Sequence, residues 1–458
     1  MSARQTRRSF LRSASVAGIA CTILPHSGSA YGYAANEKLN IAVIGLGSRG
    51  SYLFNTFLRL ENVAAICDAN RNRLTEALKR QPALRHYQDY RKLLDELQQQ
   101  LDAVAVATPE HTHAIISTAA MKRGKHVFCE KPIAHDVFEA RTLREVAAQC
   151  KVATQMGNQG MATDSFRRTL ELVLDGAVGE IREAHVWFVF GGSGPMQRPK
   201  DTPAAPDYVD WDLWLGPAPY RPFHPSYLTG WGAWRDFATG CLGGGGSHSI
   251  NMAFKALRLG ELWEGKESKL RIRVETETSG PCPENFPRWQ IVRYDIPARG
   301  PLPPARINWY NAAEEELKRQ GIWERLEKIA GRSLEWQDSW TPRSGSLLVG
   351  SKGIVHTNAH NSICELLPKG DFPNAGGPPQ KLPRAGSHER DWLSACRGGT
   401  AAMSNFGHSG PAMELLLLGN IASLVGKPFE YDPVAGRIPD NAEADRALRC
   451  PYREGWTL

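Results

Sequence analysis

Apolar positions along the chain follow two regimes. Between residues 40 and 156, short apolar runs the size of buried strands (40–44, 63–67, 102–107, 125–129 and 152–156) alternate with helix-compatible segments at 51–60, 71–79, 90–97, 114–123 and 138–148. This alternation predicts right-handed crossovers and a doubly wound parallel sheet, with ligands bound beyond the carboxyl ends of its strands. After a further helix at 165–174 the pattern changes. Runs 182–190, 270–276 and 289–295 read as strands without regular helices between them, which predicts an open, mostly antiparallel sheet. Pro- and Trp-rich connections, 195–225 among them, are too long for ordinary turns and are expected to line a site. The charged segment 312–329 reads as a helical surface insertion, and 411–424 as an apolar helix packed on the sheet or on the first domain. The expected division is a leader at 1–35, an α/β Rossmann domain at 36–158 and an α/β substrate and oligomerisation domain at 159–458.

The first strand opens directly onto Gly45-Leu46-Gly47-Ser48-Arg49-Gly50 and a helix. In such a turn Gly45 permits the sharp bend, Gly47 lets backbone approach a pyrophosphate and Gly50 packs helix on strand; Ser48 and Arg49 stand at the helix start, facing the phosphates. Asp68 ends the second run, eighteen residues past Gly50, where it can accept hydrogen bonds from the adenosine ribose. A dinucleotide cofactor follows. Asp68 repels a 2′-phosphate and nearby Arg71 offsets that in part, so NAD is expected over NADP.

Later strand ends supply Thr108, Pro109 and His113, then Glu130-Lys131-Pro132, then Asn158 and Gln159. Thr108, Pro109, His113, Glu130, Lys131 and Asn158 are assigned to the cofactor side, and Gln159 to substrate. Lys131 leads as a catalytic group: its ammonium can bridge a substrate hydroxyl and the cofactor ribose, lowering the hydroxyl's pKa as hydride departs. Glu130 reads as a positioning group and His111 as structural. In the second half, the stretch Gly243 to Asn251 carries His248, a candidate general base, with Asn251 on the substrate side. Trp211, Trp214, Trp231 and Trp234 offer flat faces suited to sugar rings, and Asp236 lies beside them.

The formal charge of +7 falls to +3 once the four arginines of residues 1–35 are set aside, which gives no reason to expect a nucleic-acid partner. Those residues place Arg7-Arg8 before a modest apolar run, 14–24, too short to span a bilayer, and small residues that suit cleavage follow. They resemble a twin-arginine export signal, which predicts a periplasmic protein. No later run is long enough to span a membrane. Nine cysteines without a C-x-x-C pair indicate neither a zinc site nor a disulfide framework.

Taken together, the glycine turn, Asp68, Thr108-Pro109 with His113, and Glu130-Lys131-Pro132 resemble the Gfo/Idh/MocA oxidoreductases. The Trp211-Asp212-Leu213-Trp214-Leu215-Gly216-Pro217 stretch and Tyr452 to Trp456 look like exported members of that family. The resemblance implies an NAD-dependent enzyme acting on a sugar or sugar derivative, a cis peptide before Pro132 that aims Lys131 into the site, and homo-oligomers formed through the open sheet. It also implies an Asp four residues before the catalytic His, where this chain has Gly244; Asp236 is a candidate substitute. Two alternatives stay open: a redox-neutral glycosidase resembling glycoside hydrolase family 109, and a sugar-binding protein without catalysis.

Overall fold

A computed structural model describes residues 38–265, 270–336, 341–372 and 380–458. The predicted leader lies outside these residues. The first half is a six-stranded parallel sheet in the order β3-β2-β1-β4-β5-β6, with β1 Asn40–Ile44, β2 Asn62–Cys67, β3 Arg85–Tyr87, β4 Ala103–Val106, β5 His126–Cys129 and β6 Thr154–Met156. The order reverses between β1 and β4, which leaves a crevice at their carboxyl ends. Strand β1 is apolar on both faces because helices cover both: Ile41 and Val43 enter one core and Ala42 and Ile44 the other.

The second sheet has eight strands in the order β13-β12-β11-β7-β10-β9-β8-β14. They are β7 Ile181–Val189, β8 Ile272–Thr278, β9 Gln290–Ile296, β10 Ala305–Ala312, β11 Gly345–Gly350, β12 Ile354–Asn358, β13 Cys364–Leu367 and β14 Phe429–Tyr431. Every pairing is antiparallel except β7 with β10. One face carries Ala184, Val186, Ile307 and Trp309 into the main core beneath helix Phe406–Val425. This long apolar helix also packs on helix Val137–Cys150 of the first half, so it serves both options foreseen for it. The opposite face carries Trp187, Tyr310 and Leu347, and here the surface-insertion reading of 312–329 needs correction. Helices Glu314–Arg319 and Ile322–Ala330 bury Leu317, Trp323 and Leu326 on that face, so the segment covers part of the sheet.

Helix Val137–Cys150 starts with a capping arrangement. Asp136 accepts from the Glu139 amide at 2.7 Å, and Glu139 accepts from the His135 amide at 2.6 Å. The segment 448–452 docks on the same pair, with the Cys450 amide donating to Asp136 at 2.7 Å and the Tyr452 hydroxyl to Glu139 at 2.6 Å. Burial, and then the neighbouring Asp136, push the Glu139 carboxyl up to about 8. Because that value exceeds the unfolded one, the folded state loses stability as pH rises through the interval between them. The thermal midpoint should fall between about pH 5 and about pH 8, and Glu139→Gln should flatten that slope; an unchanged slope would show that Glu139 is ionised in the fold.

Candidate active site

Glycine geometry shapes the cofactor turn. Gly45 has φ +87°, and a Cβ there would lie 2.5 Å from the Ala107 backbone, while one on Gly50 would lie 1.9 Å from the Gly45 carbonyl oxygen. Gly47 is the N-cap of helix Ser48–Leu60, and no side chain caps that end. A Cβ at Gly47 would meet only the Arg73 guanidinium, 3.6 Å away, so open space, free amides and a cation converge there. These features fit a dinucleotide pyrophosphate.

Asp68 is buried, accepting from the Leu46 amide at 2.7 Å and the Asn70 amide at 2.9 Å, which fixes its carboxylate at the rim of the turn. The cation beside it is Arg73, 3.5 Å away, and not Arg71, which pairs with Asp207. Next to Asp68 a slot opens between Ile116 of the first half and Leu213, Trp214 and Trp456. Its apolar walls beside a ribose-binding carboxylate suit an adenine ring. Trp456 is held in place by Arg91, 4.7 Å from its ring, and by Arg453, which donates to the Asp212 and Gly216 carbonyls at 3.0 Å.

Glu130 lies beneath the turn, buried, with Arg49 Nη2 at 2.6 Å. The next peptide, Lys131–Pro132, is cis, as the resemblance implies. Lys131 Nζ donates to the Gly244 carbonyl at 3.0 Å, so the first half's lysine touches the very stretch of the second half that carries His248. His248 is buried and its Nδ1 has no hydrogen-bond partner among the described residues. Burial, then the charge of Lys131, hold its pKa well below the ordinary range, so it is a neutral imidazole able to accept a proton. The His360 ring lies 4.6 Å away, and burial followed by Lys131 brings its pKa down to about 4.

Several candidate residues have other tasks. Asp236 binds Arg221 at 2.7 Å and does not replace the missing acid at His248. Arg221 is itself buried among Tyr227, Trp234 and Phe237 and also pairs with Glu284 at 2.9 Å. Trp234 is 3% exposed in this aromatic cluster and Trp211 stacks on the buried Trp214 at 4.7 Å, while Trp211 and Trp231 are half-buried at its edge, so the rings are tied first to one another and Trp234 has no face free for a sugar. Asn251 is buried and donates to the Ser247 and His248 carbonyls at 2.8 and 2.9 Å; it holds the histidine's backbone and does not face substrate. Asn158, also buried, donates to the Ser247 carbonyl at 3.3 Å and accepts from Ser404, which makes it a tie between the halves and not a cofactor contact. Both His113 ring nitrogens face carbonyls, Pro132 at 2.6 Å and Thr108 at 2.8 Å, so His113 brackets the two strand-end loops. Thr108 accepts from Thr112 at 2.7 Å and, with Pro109, lines the adenine slot. Gln159, just past β6, keeps a buried amide nitrogen without a partner among the described residues. His111, buried with Nε2 3.1 Å from the Trp214 carbonyl and its pKa brought down to about 3 by burial, is structural. Pattern alone does not point to Arg73, on the polar helix Arg71–Leu78, or to Glu110 and His360, which sit in polar turns without a distinctive spacing.

Comparison with known proteins decides the family. Residues 39–158 match the model described as oxidoreductase family, NAD-binding Rossmann fold, and residues 180–297 match its C-terminal alpha/beta domain, together more than half of the chain. The chain belongs to the Gfo/Idh/MocA oxidoreductase family. Among curated relatives of this family, a myo-inositol 2-dehydrogenase of Thermotoga maritima is 28% identical over 144 residues, 31% of this chain and 42% of that protein. A glycosyl hydrolase family 109 protein of Solibacter usitatus is 33% identical over 155 residues, 30% of this chain and 35% of that protein. The chain therefore matches less than half the length of either. A solved family-like fold, the WlbA dehydrogenase of Bordetella pertussis in complex with NADH and UDP-GlcNAcA, superposes with a TM-score of 0.56 at 14% identity, covering 86% of this chain and 98% of that one. Among the described residues, no group of His, Cys, Asp or Glu could hold a metal ion, no helix is long and apolar enough to cross a membrane, and all eight cysteines are free.

The adenine slot yields a prediction. Base-on-indole stacking contributes about 1–3 kcal/mol, so Trp456→Ala should release NADH about tenfold faster or more in stopped-flow fluorescence. An unchanged release rate would place the adenine elsewhere.

Proposed function

We propose that this protein is an NAD-dependent oxidoreductase acting on a secondary alcohol of a sugar or sugar derivative, with the cofactor retained between turnovers. One observation carries the reading: Lys131 Nζ, on the carboxyl end of a parallel strand, hydrogen-bonds at 3.0 Å to the stretch that presents a neutral, buried His248. Bound nicotinamide supplies the hydride acceptor. Lys131 stabilises negative charge growing on the alcohol oxygen, and His248 takes the hydroxyl proton as the carbonyl forms. Asp68 favours the ribose hydroxyls of NAD, although Arg73 at 3.5 Å softens the penalty against a 2′-phosphate. The named relatives act on or bind carbohydrates, which supports the substrate class.

Export by the twin-arginine route, which carries folded proteins, is part of the same reading and rests on the pattern within residues 1–35. Outside the cytoplasm a dinucleotide must be held near nanomolar, about −12 kcal/mol, to persist. Association of copies through the second sheet is part of the same reading.

The glycosidase reading shares all of these residues and is favoured by one feature, the absence of a carboxylate at Gly244, together with the family 109 relative. In that reaction the transient ketone acidifies the neighbouring carbon and the hydride returns to the same molecule.

Two measurements test the proposal, the first the shared site and the second the choice between the readings. Lys131→Met should remove most turnover, about a hundredfold or more, while leaving NADH binding intact, since it deletes the charge at the hydroxyl and spares the glycine turn. With wild-type protein and a panel of sugars and glycosides in deuterated water, the oxidoreductase should form a keto sugar and NADH in equal amounts. Aglycone release with deuterium beside the oxidised carbon and no net NADH would establish the glycosidase instead.

A further inference from the structure

The gap at Gly244 faces a carboxylate from the other half of the molecule. Beyond its chain neighbours and its own helix, a Cβ added at Gly244 would find no atom nearer than Glu110 Oε1, 4.0 Å away, and Gly244 is not among the glycines with positive φ. Glu110 opens the short turn Glu110–Thr112 after β4 and is 8% exposed. Its Oε2 accepts from the Thr239 amide at 2.7 Å and from the Thr239 hydroxyl at 2.6 Å. Those two bonds fix the carboxylate plane and leave Oε1 turned toward Gly244. They also anchor Thr239, the N-cap of helix Gly240–Gly244, whose last carbonyl accepts the Lys131 bond at 3.0 Å. Burial pushes the Glu110 carboxyl up, against the Thr239 bonds and the nearby Lys131 charge.

We propose that Glu110 supplies, across the junction of the two halves, the carboxylate that the family resemblance expects at position 244, and that it acts as a positioning residue for the Lys131 ammonium. The inference rests on the reading of Lys131 as the hydroxyl-polarising group. A carboxylate reaching the same space from residue 110 leaves position 244 free of a side chain, which accounts for glycine there. The Lys131 charge acts on Glu110, His113, His248, His360 and Cys241, and the neighbouring carboxylate Glu130 is paired with Arg49 at 2.6 Å.

The test is a charge swap in the full chain loaded with NAD. Competitive labelling with acetic anhydride across a pH series, followed by peptide mass spectrometry, reads the protonation of Lys131 without requiring the natural substrate. Glu110→Gln keeps an acceptor for Thr239 but removes the charge, and should make Lys131 about threefold or more as reactive near pH 8, corresponding to half a pKa unit or more. Adding Gly244→Asp to that variant should return the labelling profile toward wild type, because the new carboxylate occupies the same space. Turnover of whichever panel sugar the wild type uses should fall in Glu110→Gln and recover in the double variant, with NADH binding constant throughout. A Glu110→Gln profile identical to wild type, or a double variant no closer to wild type than the single one, would reduce Glu110 to a tether for Thr239. If Lys131→Met itself keeps normal turnover, the reading of the site fails and not only this inference.

Discussion

A single buried carboxylate, Glu130, joins the three loops from which the first half of the site is built. Arg49, on the helix that follows the glycine turn, supplies its counter-charge, and Gly157, after β6, supplies the space, since a Cβ there would lie 2.6 Å from Glu130 Oε2. An unpaired carboxylate at that depth costs several kcal/mol, so the turn, the Glu-Lys-Pro stretch and the loop after β6 must settle together. Lys131 inherits its position from this arrangement. The glycine turn is thus tied to the reacting end of the site through one ion pair.

The second half meets it mostly with backbone. The Gly244 carbonyl receives Lys131, the Ser247 carbonyl receives Asn158 and Asn251, and the His248 carbonyl receives Asn251. Peptide groups at fixed distances give the junction its registration with little need for opposite charges. The consequence is electrostatic. Around His248 the named charges are positive, from Lys131 and Arg49, and burial adds to them in disfavouring imidazolium. A proton accepted there must come from a strongly polarised donor or be passed on quickly.

The first half was the more legible because its signals are local. The glycine turn, Asp68 and Glu130-Lys131-Pro132 each sit within a few residues of a buried apolar run, and parallel strands covered on both faces announce themselves as such runs. Strand β3 has no such run: Arg85-His86-Tyr87 is short, polar and at the sheet edge. In the second sheet, β11 begins and ends in glycine and β12 contains His356 and Thr357, so their burial comes from non-local pairing that periodicity cannot register. The tryptophans of 211–234 were read by their chemistry, which suits sugar rings, whereas their packing around the buried Arg221 could be known only from the fold. Arg71 and Arg73 differ by two positions on one helix, and only the helical phase puts the second beside Asp68.

Helix Phe406–Val425 belongs equally to both halves, lying on helix Val137–Cys150 and under β8. Its Glu414 is fully buried and accepts from Trp263 at 2.8 Å and Tyr431 at 2.5 Å, with Arg141 of the first half 3.4 Å away. Trp263 and Tyr431 lie in the same half as Glu414, so a hinge opening between the sheets would separate the buried carboxylate only from Arg141 and Arg144, and these two pairs, with the shared helix, are what such a motion would have to break.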